Sequence, residues 1–188
     1  MSESVNPQTG FIGNGEIRVY THGIDRLVFE EAKTIDFGSL LKGLALYQGI
    51  VSVAERRERQ VVYKRAYQTA LEKRKPLLVV GGHRGRHGTG DVCIDTNIKA
   101  CKGAPVSIPG DIRRIPLPDK WAGAVFASHV LEHLPTVADA EMAIRELFRV
   151  ADTIYIVSPS KLNMVAWLHP DHHLWVRCIG GRIEIEQR

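Results

Sequence analysis

The stretch Pro76–Asp95, PLLVVGGHRGRHGTGDVCID, decides how the rest of the chain is read. Leu77-Leu78-Val79-Val80 is a short, wholly apolar run closed by Gly81-Gly82, and Asp91-Val92-Cys93-Ile94-Asp95 is a second strand, apolar between its two aspartates. Strands that are apolar at nearly every residue are what a parallel sheet covered on both faces requires. Working outward, Pro105-Val106-Ser107-Ile108 reads as a third strand, Ala122 to Ala127 as a fourth and Thr153 to Val157 as a fifth. Between the last two, Thr136 to Val150 has the pattern of a helix. Thr136 with Asp139 three residues on forms its cap, and Val137, Ala140, Ile144, Leu147 and Phe148 form its apolar stripe. A short helix from about Ser160 to Leu168 follows. His173 to Cys178 and Arg182 to Glu186, around Gly180-Gly181, then read as a β-hairpin. The fold class expected is α/β: a Rossmann-like, mostly parallel sheet with a C-terminal β-hairpin.

Upstream, Ser39 to Lys73 is helical in pattern, with Leu40, Leu41, Leu44, Ile50, Val51 and Ala54 near helical spacing and Pro76 as the stop. One long helix or two consecutive helices fit. Residues 1–35 mix Gly, Asn and short alternating runs such as Glu16-Ile17-Arg18-Val19-Tyr20, the pattern of a hairpin or arm. The division expected is an arm over 1–35 and one α/β domain over 36–188 that includes the leading helix 39–73.

Composition narrows the class. The chain has 188 residues, 44% hydrophobic and 24% charged, which is ordinary globular usage and excludes a largely disordered chain. The net charge of +4 is compatible with an anionic ligand but gives no strong nucleic-acid signal. No stretch reads as a transmembrane segment; Phe37 to Ala54 is apolar but interrupted by Lys42 and Gln48. The amino terminus lacks a basic start and an apolar core, so it is not a signal peptide. Cys93, Cys101 and Cys178 form no CxxC pair and are odd in number. They are expected as buried thiols in a reducing compartment, and the location expected is cytoplasmic.

The segment from Gly110 to Pro135, GDIRRIPLPDKWAGAVFASHVLEHLP, resembles class I S-adenosylmethionine-dependent methyltransferases. Asp111, the Ile115-Pro116-Leu117-Pro118-Asp119 segment, the following strand and Ser128-His129-Val130-Leu131-Glu132-His133-Leu134 fall in that family's order. The resemblance covers residues from about 76 to 186. It implies S-adenosylmethionine as cofactor, with Gly81, Gly82 and Gly85 in the glycine turn and Asp95 on the ribose. It further implies Asp111 and Ile112 beside the adenine, and Ser128 and His129 near the methionine end or the substrate. The closing hairpin is expected at the antiparallel end of the family's sheet.

The chain also departs from the family. Residues 83–94 are too few for a glycine loop followed by a crossover helix, and His83 to Gly90 has no apolar stripe. Thr96 to Gly103 is equally short. One face of the sheet is therefore expected to be thinly covered, without the helix dipole that would help hold an anionic group. Arg84 or Arg86 would take over that role. The alternative is a catalytically inactive methyltransferase-fold module for binding or assembly, a pseudoenzyme whose arm and long helix meet a protein partner or a second copy.

Two further constellations carry chemistry. His129 to His133 spells HxxEH, the inverted zinc-protease motif, but Pro135 cuts it after one turn. His169-Pro170-Asp171-His172-His173 is a dense polar loop in which His169, Asp171 or His172 would act as a general base. A metal there would need ligands from elsewhere, with His83 or His87 the candidates, and no metal site is assigned. The reading is thus a divergent methyltransferase-like protein acting on an unidentified small-molecule or macromolecular acceptor. Its candidate catalytic residues are His129, His169, Asp171 and His172.

Overall fold

A computed structural model describes residues 8–12, 15–20, 37–82, 88–179 and 182–188. In chain order the elements are β1 (Gln8–Ile12), β2 (Gly15–Tyr20), α1 (Phe37–Glu72), β3 (Leu77–Val80), β4 (Val92–Asp95) and β5 (Val106–Pro109). They continue with β6 (Ala124–Ser128), α2 (Val137–Val150), β7 (Thr153–Val157), α3 (Met164–Leu168), β8 (Leu174–Ile179) and β9 (Arg182–Gln187). Short 3-10 turns occupy Ile98–Cys101 and Leu131–His133.

Seven strands form one sheet in the order β1-β2-β7-β6-β3-β4-β5. All neighbours from β2 to β5 pair in parallel, as the apolar runs required. Alternate residues of each strand enter opposite faces. Leu78, Val80, Val92, Ile94, Val125, Ala127, Ile154 and Ile156 join α2 residues such as Leu147 in the larger core. Leu77, Val79, Cys93, Phe126, Tyr155 and Val157 meet Val62, Ala66 and Ala70 of α1 on the other face. Phe126 and Tyr155 are wholly buried there. Each contributes about 2–3 kcal/mol of transfer free energy.

The helix before the sheet is single and continuous. It ends with Arg74 at φ 54°, with Arg74 N–H donating to Leu71 O (2.9 Å) and Lys75 N–H to Ala70 O (3.1 Å). This is a Schellman closure, which turns the chain toward Pro76. Thr136 caps α2 as expected, its side chain accepting from Asp139 N–H. On α1 the buried Glu55 carboxylate accepts from Asn163 Nδ2 (2.6 Å) and Ser160 N (3.4 Å). The helix is thereby fixed to the loop that leads into α3.

Two expectations are corrected. The C-terminal hairpin β8–β9 is its own two-stranded sheet and does not join the main one. Its apolar side, with Leu174, Val176, Ile183 and Ile185, packs onto the α2-side core, so its burial is satisfied over a face. The edge beyond β7 is taken by β2, which pairs with it in parallel, and β1 adds the antiparallel strand. Second, Cys93 and Cys101 are not thiols but a disulfide, with Cα atoms 5.6 Å apart. The unpaired-cysteine argument for a reducing compartment therefore no longer applies.

The disulfide explains how the short connection works. Where a crossover helix would cover β4, the turn Ile98–Cys101 lies over it, with Cys101 buried and bonded to Cys93 in the α1-side core. A covalent staple replaces a helix face. Cover stops there: three of the four residues of β5 are exposed, Val106 among them. No helix among the described residues is long and apolar enough to cross a membrane.

Candidate functional site

Parallel strand order reverses between β3 and β6, since the chain runs β3-β4-β5 to one side and then returns to β6 on the other. In such sheets the crevice beyond the carboxyl ends of the strands at this reversal is where ligands bind. Gly81 and Gly82 leave β3 at that point. Gly81 has φ +80°, and a Cβ there would collide with the Val130 side chain. A Cβ on Gly82 would run into the carbonyl of Ala100. Only glycine fits either position, because the segments after β6 and β4 close onto the turn.

Asp95 ends β4 beside this turn, half-buried. Its Oδ2 accepts from Gly82 N–H (3.0 Å) and its Oδ1 from Asn97 N–H (2.8 Å). A carboxylate offers about four acceptor directions, so two backbone donors fix its orientation and leave acceptor capacity. Asp111 follows β5 and accepts from Arg113 N–H (2.8 Å), while the Arg113 guanidinium bonds both carboxylate oxygens and also Asp139. The hydrogen bonds from Arg113 hold the Asp111 carboxyl below its ordinary range, against a small opposing effect of burial. Ile112 is buried in the α2-side core below this segment. A cleft of about 660 Å³ is lined by residues that flank this segment, Gly110, Arg114 and Ile115, with Glu146 and Arg149 of α2. Gly85, with His83, Arg84, Arg86 and His87, lies outside the described residues.

Past β6 the groups change character. Ser128 is fully buried and faces the interior. His129 adopts φ +53° and donates its N–H to Val157 O (2.8 Å), which ties it to the end of β7. Its Nδ1 lies 3.2 Å from Oε1 of the buried Glu132. Burial pushes the Glu132 carboxyl up, but the hydrogen bond and charge of His129 outweigh it and hold it below the ordinary range. The HxxEH string thus makes a histidine–carboxylate pair at its start. Its second histidine turns away, because the 3-10 turn Leu131–His133 does not place His129 and His133 one helical turn apart on a shared face.

His133 instead meets the loop between α3 and β8. Its Nδ1 lies 2.9 Å from Asp171 O, and its ring is 5.5 Å from that of His169 and 4.7 Å from that of His172, centroid to centroid. His169 and His172 stack at 4.4 Å. Burial pushes His172 down to about 4. Asp171 has an exposed side chain, and its backbone serves as the contact. The structure therefore gathers His169 and His172 with His133, while His129 stays with Glu132. His133 was absent from the residues selected by sequence. Each histidine motif was visible, but nothing in the string links one to the other.

No curated protein matches the chain. The family model described as a methyltransferase domain matches residues 92–153, from the first residue of β4 to the first of β7. Over this stretch, which contains Asp95, Asp111 and the His129–Glu132 pair, the chain is recognised as similar to the class I S-adenosylmethionine-dependent methyltransferases.

Proposed function

We propose that the protein is a divergent S-adenosylmethionine-dependent methyltransferase whose adenosyl site lies across the carboxyl ends of β3, β4 and β5. The observation that carries this reading is Asp95, oriented by Gly82 and Asn97 N–H groups at the strand-order reversal with acceptor capacity left over. In this reading Asp95 accepts from ribose hydroxyls, and Gly81 and Gly82 let the backbone approach. Asp111 and Ile112 border the adenine. Ser128 and His129, at the end of β6, lie toward the methionine end or the substrate. When bound, the cofactor supplies a methyl group on a positively charged sulfur.

The chain's own contribution is positioning and proton removal. His129, oriented by Glu132 as a carboxylate orients an imidazole, is the base assigned to the acceptor nucleophile. His169, Asp171 and His172 stand apart as a separate group. Isothermal titration with S-adenosylmethionine and with its demethylated product tests the reading. One-to-one binding that falls in Asp95→Asn supports it; no heat at millimolar ligand removes it.

A second reading, the inactive module, is favoured by a specific observation. The first half of α1 exposes Leu40, Leu41, Leu44, Leu46 and Ile50, an apolar surface suited to a partner or a second copy. Light scattering on the eluted protein separates the two: a self-associating protein that binds no cofactor is this module, and a monomer that binds cofactor is not.

A further inference from the structure

His133, His169 and His172 each present a ring nitrogen, and these atoms lie within 4.8 Å of one another. Three imidazoles from two distant segments converge here, and a ring nitrogen left without a hydrogen-bond partner is a potential metal ligand. The convergence is built from outside the rings. Arg188 Nη1 donates to the carbonyls of Ala166, His169 and His172 at 3.0–3.1 Å. His173 N–H donates to Glu132 O (2.7 Å), joining the loop to the 3-10 turn that carries His133. Gln187 Nε2 bridges the carbonyls of Pro135 (3.2 Å) and His173 (3.1 Å). The last two residues described thus clamp both segments that bear the histidines.

The rings themselves are partly set. His133 Nδ1 donating to Asp171 O leaves Nε2 as its free nitrogen, the arrangement that metal-bound histidines use to fix tautomer and direction. His172 Nδ1 is buried with no hydrogen-bond partner in the structure. His169 Nδ1 accepts only a long bond from Asp171 N–H, 3.3 Å, which is weak enough to give up.

The geometry points to a divalent transition-metal site formed by His133, His169 and His172, with Zn²⁺ the preferred ion and one coordination position left to water or a ligand. Imidazole nitrogens without carboxylates disfavour Mg²⁺ and Ca²⁺. Three histidines and an open fourth position form a tetrahedral set with Zn–N distances of about 2.0–2.1 Å. Tetrahedral ligands at that distance are about 3.4 Å apart, so nitrogens up to 4.8 Å apart need to close by up to roughly 1.5 Å, through side-chain rotation. This site stands independently of cofactor binding at Asp95.

Untagged, chelator-treated full-length protein should bind one equivalent of Zn²⁺ by titration calorimetry, at submicromolar affinity. Co²⁺ substitution should give the visible absorption of a four-coordinate nitrogen site, a readout that needs no variant. His133→Ala and His172→Ala should each weaken Zn²⁺ binding at least 100-fold, while His173→Ala should bind as the unaltered protein does. Absence of one-to-one Zn²⁺ binding tighter than about 100 μM would overturn the assignment, and so would six-coordinate Co²⁺ spectra or equal binding by a folded triple-alanine variant.

Discussion

At the ends of β3 and β4 every group of interest is held by main-chain atoms a few residues or one strand away. The group of His133, His169 and His172 is instead held by side chains brought in from the far end of the chain. Asp95 is oriented by Gly82 and Asn97, and the turn that flanks it is stapled by Cys93–Cys101. The histidine group depends on Arg188 and Gln187, which follow it by a whole hairpin. The first arrangement is set by local geometry, so it changes only when the backbone does. The second is preformed by tertiary docking, so it changes when a distant brace is cut.

The sharpest way to break this contrast is Gly82→Ala. A Cβ there meets the Ala100 carbonyl and the Cys101 amide, which are backbone and cannot rotate aside. The expected loss is about 3 kcal/mol in denaturant unfolding, near the upper end for overpacking. An unfolding midpoint equal to that of the parent would mean the turn is open. Next in size is the double variant Cys93→Ala, Cys101→Ala. Opening so short a loop removes about 2–3 kcal/mol on the chain-entropy account. Amide exchange should rise in residues 96–104 and stay unchanged at His133, since the staple serves only the first region.

Asp95→Asn should lower affinity for S-adenosylmethionine about 10–100-fold, the effect of weakening charge-assisted hydrogen bonds, while zinc binding stays as it was. Equal cofactor affinity in the variant would move the ribose elsewhere. Arg188→Ala should cost about 1 kcal/mol. Its larger signature is faster exchange and shifted imidazole resonances at His169 and His172, with the Asp95 region silent.

The smallest effect concerns acid. Asp111 is held below its ordinary value of 3.8 by Arg113, so its contribution is fully present above that value and is lost as pH falls through the lower folded one. Both side chains are more than a third exposed, which keeps the effect under about 1 kcal/mol. Arg113→Ala should return the Asp111 titration, followed by NMR, to the ordinary range without moving the histidine resonances.

The two regions also differ in how far they could be read from the string. Leu77–Val80, Val92–Asp95 and Thr153–Val157 are apolar at nearly every position, and burial on both faces follows from that alone. Thr136 with Asp139 marked the start of α2, and the glycine pair marked a turn. Hydrophobic period and capping chemistry act over a few residues, so they are legible in a few residues. The Cys93–Cys101 bond was missed because its spacing matches no familiar motif, and the pairing depends on the turn folding back over β4.

By itself the sequence determined a parallel α/β sheet, a glycine turn with a carboxylate one strand away, and the likeness to methyltransferases over the middle of the chain. Tertiary structure alone decided that the N-terminal hairpin extends the sheet while the C-terminal one covers its face. It also decided that His133 leaves its own motif to join His169 and His172. The reason is one of range: strand and turn preferences are set by neighbouring residues. Which edge a hairpin takes, and which rings meet, is set by the burial and hydrogen bonding of segments that touch only once the chain has folded.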